Sequence, residues 1–120
     1  MANSDGNVDW RSVCPISSAL DVIGDKWSLL IIRDILIHGP RTYSQLLESP
    51  ERISTNILAS RLELLTSLKL IERTNPEGAS RNNAYRLTEG GTALRPSLEA
   101  LGKWAGTYLS DFHENIIKLP

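Results

Sequence analysis

The 120-residue sequence predicts a mainly α-helical domain with one small antiparallel β-hairpin, and three observations predict it. Blocks of apolar residues recur at threes and fours between Ile16 and Leu68 and again from Leu94 to Phe112, as in helices with one buried face. Two runs of strand character, Ile71–Asn75 and Asn83–Thr88, are joined by a loop rich in Gly, Ser and Asn and tipped by Pro76-Glu77-Gly78. Just before them, two helix-start signals, Thr42-Tyr43-Ser44-Gln45 and Ser54-Thr55-Asn56, flank the turn material Ser49-Pro50-Glu51-Arg52. A short helix, a bend, a longer helix and a hairpin follow in the order that builds a winged helix-turn-helix.

Each element has a local reason. Residues 1–13 are polar and read as a flexible arm. Pro15 suits the first position of a helix that carries Ile16, Ala19, Leu20 and Ile23 at helical spacing. Asp25 is placed to cap the next helix, Lys26 to about His38, which is apolar nearly all round and should run through the centre. Gly39-Pro40 ends it. Thr42 and Gln45 form a capping box for a short helix through about Glu48 that buries Tyr43, Leu46 and Leu47.

Ser54 caps a helix to about Leu68 with a buried stripe of Leu58, Leu62 and Leu65. At 100° per residue the opposite face carries Asn56, Ala59, Ser60, Glu63 and Ser67, all small or polar. After the hairpin, Thr88 caps a last helical region, which Pro96 should kink or divide near its start. The expected organisation is an arm (1–13), a winged helix-turn-helix with an N-terminal dimer helix (14–93) and a C-terminal dimerisation helix (94–120).

Composition narrows the function. With 41% apolar and 22% charged residues, the chain suits one globular domain. Its longest apolar run is broken by Arg33 and Asp34, too short to span a bilayer, and residues 1–10 lack a signal-peptide core, so no membrane association and a cytoplasmic location are expected. One cysteine excludes an internal disulfide, and His38 and His113 lack ligand spacing, so neither metal nor cofactor is expected. The net charge of −1 hides an asymmetry: residues 52–95 carry seven Arg/Lys against four Asp/Glu, the remainder six against ten.

A helix-turn-helix reads double-stranded DNA by placing its second helix in the major groove, while phosphates supply most of the affinity. Ser54, Thr55 and Asn56 stand at the amino end of the proposed reading helix, where Asn suits adenine and hydroxyls suit phosphate or base edges. The alternative is a capping Ser54 with solvated neighbours. Ser60 on the exposed face and Ser44 and Gln45 on the preceding helix complete the helical candidates. Arg61, near the edge of the buried face, either touches phosphate or braces a neighbouring helix by an ion pair. Arg81 at the wing, and Arg73 and Arg86 directed outward on the strands, are candidate DNA contacts or ordinary solvated charge.

Cys14 precedes Pro15 and a helix start, where the helix dipole and free amides favour a thiolate. It is either a reactive thiol or a small buried hydrophobe. The apolar stripe to Phe112 is too much for the exterior of a small monomer, so a homodimer is expected. Ile16, Leu20, Leu98, Leu101, Trp104, Tyr108 and Phe112 are the interface candidates.

Taken together, Cys14-Pro15-Ile16, Leu20–Trp27, Leu29–Arg33, Gly39-Pro40-Arg41, Ser44-Gln45-Leu46, Ile53-Ser54, Leu58–Leu62, Leu70–Arg73, Tyr85–Glu89 and Leu94-Arg95-Pro96 resemble HxlR-type winged-helix regulators over about residues 14–105. The resemblance implies a homodimeric bacterial transcription regulator, with terminal helices at the dimer interface. In several members the cysteine matching Cys14 senses electrophiles or oxidants. The chain departs from the pattern at Thr55-Asn56, where the family usually has Pro and a basic residue, and at Gly78-Ala79-Ser80, where it has prolines. Glu63 also stands at a commonly basic position, so the operator sequence does not transfer. The small-molecule effector is unknown. Two other classes compete: a winged helix used only for protein–protein contact, and a thiol enzyme with Cys14 as nucleophile, for which no histidine lies near in sequence.

Overall fold

The computed structural model describes residues 8–78 and 83–118. Helix α1 spans Pro15–Ile23 with proline opening it, and α2 spans Ser28–His38. The second helix starts two residues later than its sequence predicts. The Asp25 carboxylate still does the capping work, accepting hydrogen bonds from the amides of Trp27 at 2.9 Å and Ser28 at 3.0 Å. Gly39 ends α2 at φ 80°, a backbone region that glycine enters without a Cβ clash.

Strand β1 is only Arg41–Thr42, and the capping box on Thr42 and Gln45 starts α3 (Tyr43–Leu47). Helix α4 (Thr55–Ser67) follows its Ser54 cap; β2 (Ile71–Arg73) and β3 (Ala84–Leu87) form the base of the hairpin. Thr88 caps a one-turn helix, α5 (Glu89–Thr92), and Pro96 lies in the first turn of α6 (Arg95–Tyr108). The proline therefore divides the last helical region rather than kinking it.

The sheet has three antiparallel strands in the order β1-β3-β2. A two-residue strand leaves no periodic signal, so β1 is invisible to hydrophobic patterning. The register pairs Ile71 with Leu87, Glu72 with Arg86 and Arg73 with Tyr85. Because alternate residues share a face, Arg73 lies on the side of buried Ile71, while Glu72 and Arg86 occupy the other. Arg73 thus does not point outward beside Arg86, correcting the sequence expectation.

The core joins Ile31, Ile32 and Ile35 of α2 to Leu46, Ile53, Ile71 and the α4 stripe Leu58, Leu62 and Leu65. All three stripe leucines are buried, and Asn56, Ala59, Ser60, Glu63 and Ser67 are exposed, as the 3.6-residue period dictates. The arm is not loose throughout. Val8 is buried, and Arg11 reaches Asp21 of α1 through its backbone amide at 3.2 Å and through a side-chain ion pair.

Candidate nucleic-acid interface

The helix-turn-helix is α3, the turn at residues 48–53, and α4. Its amino end is presented outward: Ser54, Thr55 and Asn56 are all exposed. The Ser54 hydroxyl oxygen accepts the Ile57 amide at 3.2 Å, and Thr55 and Asn56 make no side-chain bond among the described residues. Ser54 therefore caps, leaving its own proton to donate, while Thr55 and Asn56 keep full hydrogen-bonding capacity. Ser44 and Gln45 are exposed on α3, but Gln45 Oε1 already accepts the Thr42 amide at 2.9 Å. Its amide nitrogen and the second lone pair of Oε1 remain for a partner.

Three links fix the angle of α4. The Tyr43 hydroxyl donates to the Thr55 carbonyl at 2.9 Å, tying α3 to the first turn of α4. Arg61 Nη1 lies 3.5 Å from Asp25 Oδ1, so the charge of this arginine braces α4 against the start of α2. Burial pushes the Asp25 carboxyl up, but the Ser28 side chain, the amides of Trp27 and Ser28 and the Arg61 charge outweigh it, holding the group below its ordinary value. The Ser28 hydroxyl makes no hydrogen bond of standard geometry, so the two amides and the arginine are the firmer partners.

The third link is a clasp on the turn. Arg33 Nη1 and Nη2 grip both Glu51 oxygens at 2.8 and 2.9 Å, and Nε and Nη2 hold Asp34 Oδ1 at 3.0 and 2.8 Å. Ser49 donates its hydroxyl to the other Asp34 oxygen. Hydrogen bonds to Glu51, more than those to Asp34, raise the Arg33 guanidinium against the effect of burial. In return the Arg33 hydrogen bonds hold Glu51 below the usual carboxylate range. The sequence treats Arg33 and Asp34 only as breaks in an apolar run, because adjacency in one helix does not reveal a target on a distant turn.

On the wing, Arg86 Nε pairs across the strands with Glu72 at 2.8 Å, and Arg73 Nη2 bonds the Pro76 carbonyl at 3.0 Å. Arg81 lies outside the described residues. Asn83, buried, accepts the Asn75 amide at 2.8 Å and donates back to the Asn75 carbonyl, closing the hairpin. A groove of about 520 Å³ runs between α4 and the sheet, lined by Tyr43, Glu63, Arg73 and Tyr85 among others.

A model of the HxlR-like helix-turn-helix family matches residues 22–113. The chain belongs to that family. It is 33% identical over 99 residues, 82% of this chain and 88% of the relative, to the HTH-type transcriptional regulator YodB of Bacillus subtilis. The structure of reduced YodB aligns with a TM-score of 0.67, covering 83% of this chain and 98% of that one at 32% identity. The structure of PA1607 gives a TM-score of 0.75 at 36% identity, covering 91% of this chain and 75% of that one. The redox regulator HypR in its oxidised form gives 0.64 at 27% identity, covering 77% and 94%. This HxlR-like chain is a transcriptional regulator of helix-turn-helix type and not an enzyme.

Away from α4, Cys14 is exposed at the cap position of α1, which corrects the buried alternative. Helix α1 buries no residue, and α6 buries only Gly106 among the described residues. Ile16, Leu20, Leu101, Trp104 and Tyr108 are left exposed on these helices. Leu98 instead packs against the chain's own core, and Phe112 lies beyond the end of α6, in a turn. Among the described residues, no helix is long and apolar enough to cross a membrane.

Proposed function

We propose that this HxlR-type regulator acts in the cytoplasm as a homodimer on a pseudo-palindromic operator, with two α4 helices entering successive major grooves about 34 Å apart. The exposed amino end of α4, with Thr55 and Asn56 uncommitted, is the observation that carries the reading. Ser60 lies on the same exposed face and Ser44 on the preceding helix, so both serve as flanking contacts. Arg61 and Arg86 enter this reading with weakened roles, since each is already paired with a carboxylate.

The unburied apolar faces of α1 and α6 support the dimer. The exposed thiol of Cys14 supports redox or electrophile response, because Cys14 stands at the cap position of the helix that carries Ile16 and Leu20. Modifying it would alter one of the faces that hold the two copies together.

Footprinting of genomic fragments with reduced and oxidised protein tests the whole reading. Protection of paired half-sites, lost on oxidation in the natural protein and retained in Cys14→Ser, is the expected result. The ion pairs on Arg61 and Arg86 favour one competitor, a winged helix that only contacts proteins. Absence of any salt-dependent duplex binding would select it.

A further inference from the structure

The turn of the helix-turn-helix holds an unusual backbone. Arg52 has φ 63°, and apart from Lys69, which sits just past the end of α4, it is the one non-glycine in this region among the described residues. A residue just past a helix end takes the left-handed conformation routinely. Arg52 has no such reason: its amide closes a tight turn by donating to the Ser49 carbonyl at 3.1 Å. Glycine would make this turn without a Cβ clash, so a β-carbon there opposes folding. Such strain persists only where the surroundings over-determine it. Here they do. Arg33 holds Glu51, Asp34 holds Ser49, and Ile53 is buried on the other side.

Charge explains what the strain achieves. From Thr42 to Ser67 the only cations are Arg52 and Arg61. Arg61 is turned back onto Asp25, and the neighbouring anion, Glu51, is masked at both oxygens by Arg33. Arg52 is exposed and has no ion pair or side-chain hydrogen bond among the described residues. The turn thus sorts two adjacent opposite charges, pairing the carboxylate with Arg33 and leaving the guanidinium free, two residues before the Ser54 cap. A polyanion approaching α4 meets a free cation there, with the adjacent carboxylate already engaged and an unpaired one, Glu48, only at the far end of the turn. We propose that Arg52 is a direct contact to DNA phosphate, aimed at the backbone by the Arg33 clasp. This inference rests on the DNA-binding reading and adds to it a phosphate contact outside the groove-facing residues.

The test uses the full chain and a fluorescein-labelled mixed-sequence duplex of roughly 30 base pairs, about three turns. Anisotropy titrations between about 50 and 200 mM salt give the slope of log K against log salt. Arg52→Gly should bind more weakly, with a slope shallower by about 0.9 for each bound copy. Its deficit should therefore shrink by roughly 3.5-fold per copy across that salt range. Arg52→Lys should keep the natural slope. The urea midpoint of Arg52→Gly should equal or exceed that of the natural chain, since glycine relieves the backbone. An unchanged slope in Arg52→Gly, beside salt-dependent binding by the natural chain, overturns the phosphate contact alone. A lowered urea midpoint shows a structural role and overturns the strain argument with it. No duplex binding by the natural chain overturns both this inference and the reading beneath it.

Discussion

Replacing Trp104 by alanine tests the homodimer where it has most to lose. Trp104 is 54% exposed on α6, and its ring lies 6.1 Å from that of Tyr108, tilted by 39°. A tryptophan buries up to ~250 Å² in a packed environment, so about half of that, ~120 Å², awaits a partner. At ~25 cal/mol per Å², less what an alanine retains, its loss removes ~2 kcal/mol from each copy. Two-fold symmetry repeats the loss, giving ~4 kcal/mol per dimer, and the unseated Tyr108 ring adds to it. Since ~1.4 kcal/mol is a factor of ten, the dissociation constant should rise close to a thousandfold. Sedimentation velocity across a dilution series reads that change. Because more than half of the side chain is exposed within the subunit, the fold should persist, and circular dichroism at matched concentration checks it. A shift below about tenfold, or a natural chain already monomeric at micromolar concentration, would refute the assignment of this face to dimerisation.

Four further outcomes follow from the packing and the site. Asn56→Ala should cost ~1–3 kcal/mol of discrimination at one operator base pair while leaving the salt slope unchanged, as read by competition titration with base-substituted duplexes. Leu58→Ala, at a fully buried position, should lower stability by ~2–5 kcal/mol in urea unfolding. Gly91→Ala should be severely destabilising by the same assay, because a β-carbon there would stand 2.1 Å from the Leu70 carbonyl oxygen and the backbone would have to move. Glu51 and Asp25 both have folded pKa values below their ordinary 4.5 and 3.8, so each contributes stability above those values and loses it as pH falls through its folded value. Acid titration should therefore destabilise the chain below about pH 4.5, and Glu51→Gln should make the upper part of that loss shallower; an unchanged acid limb would contradict the clasp.

Local chemistry made much of the fold legible. The capping box at Thr42 and Gln45, the caps at Ser54 and Thr88 and the leucine stripe of α4 each depend on residues within one or two turns. Such signals survive in a linear string because helix period and end-capping act over three to four positions. The exposed small-polar face of α4 was readable for the same reason. The end of α6 was not: apolar spacing continues to Phe112, but the helix stops at Tyr108, since spacing alone does not mark a terminus.

The linear order of residues determined where helices begin, which faces they bury and that a hairpin follows the second helix of the motif. It also determined that α4 would begin with Ser54, Thr55 and Asn56 at its amino end. Tertiary structure alone decided which charges remain available. Arg61 went to Asp25, 36 positions away by number, Arg86 to Glu72 across a strand pair, and Glu51 to Arg33 on α2, leaving Arg52 outward. It decided too that β1 would join the sheet and that Arg73 would share a face with Ile71. The physical reason is range. Hydrogen-bonded caps and helical periods are settled between near neighbours, whereas an ion pair or a strand register joins groups whose proximity exists only once the chain has closed on itself.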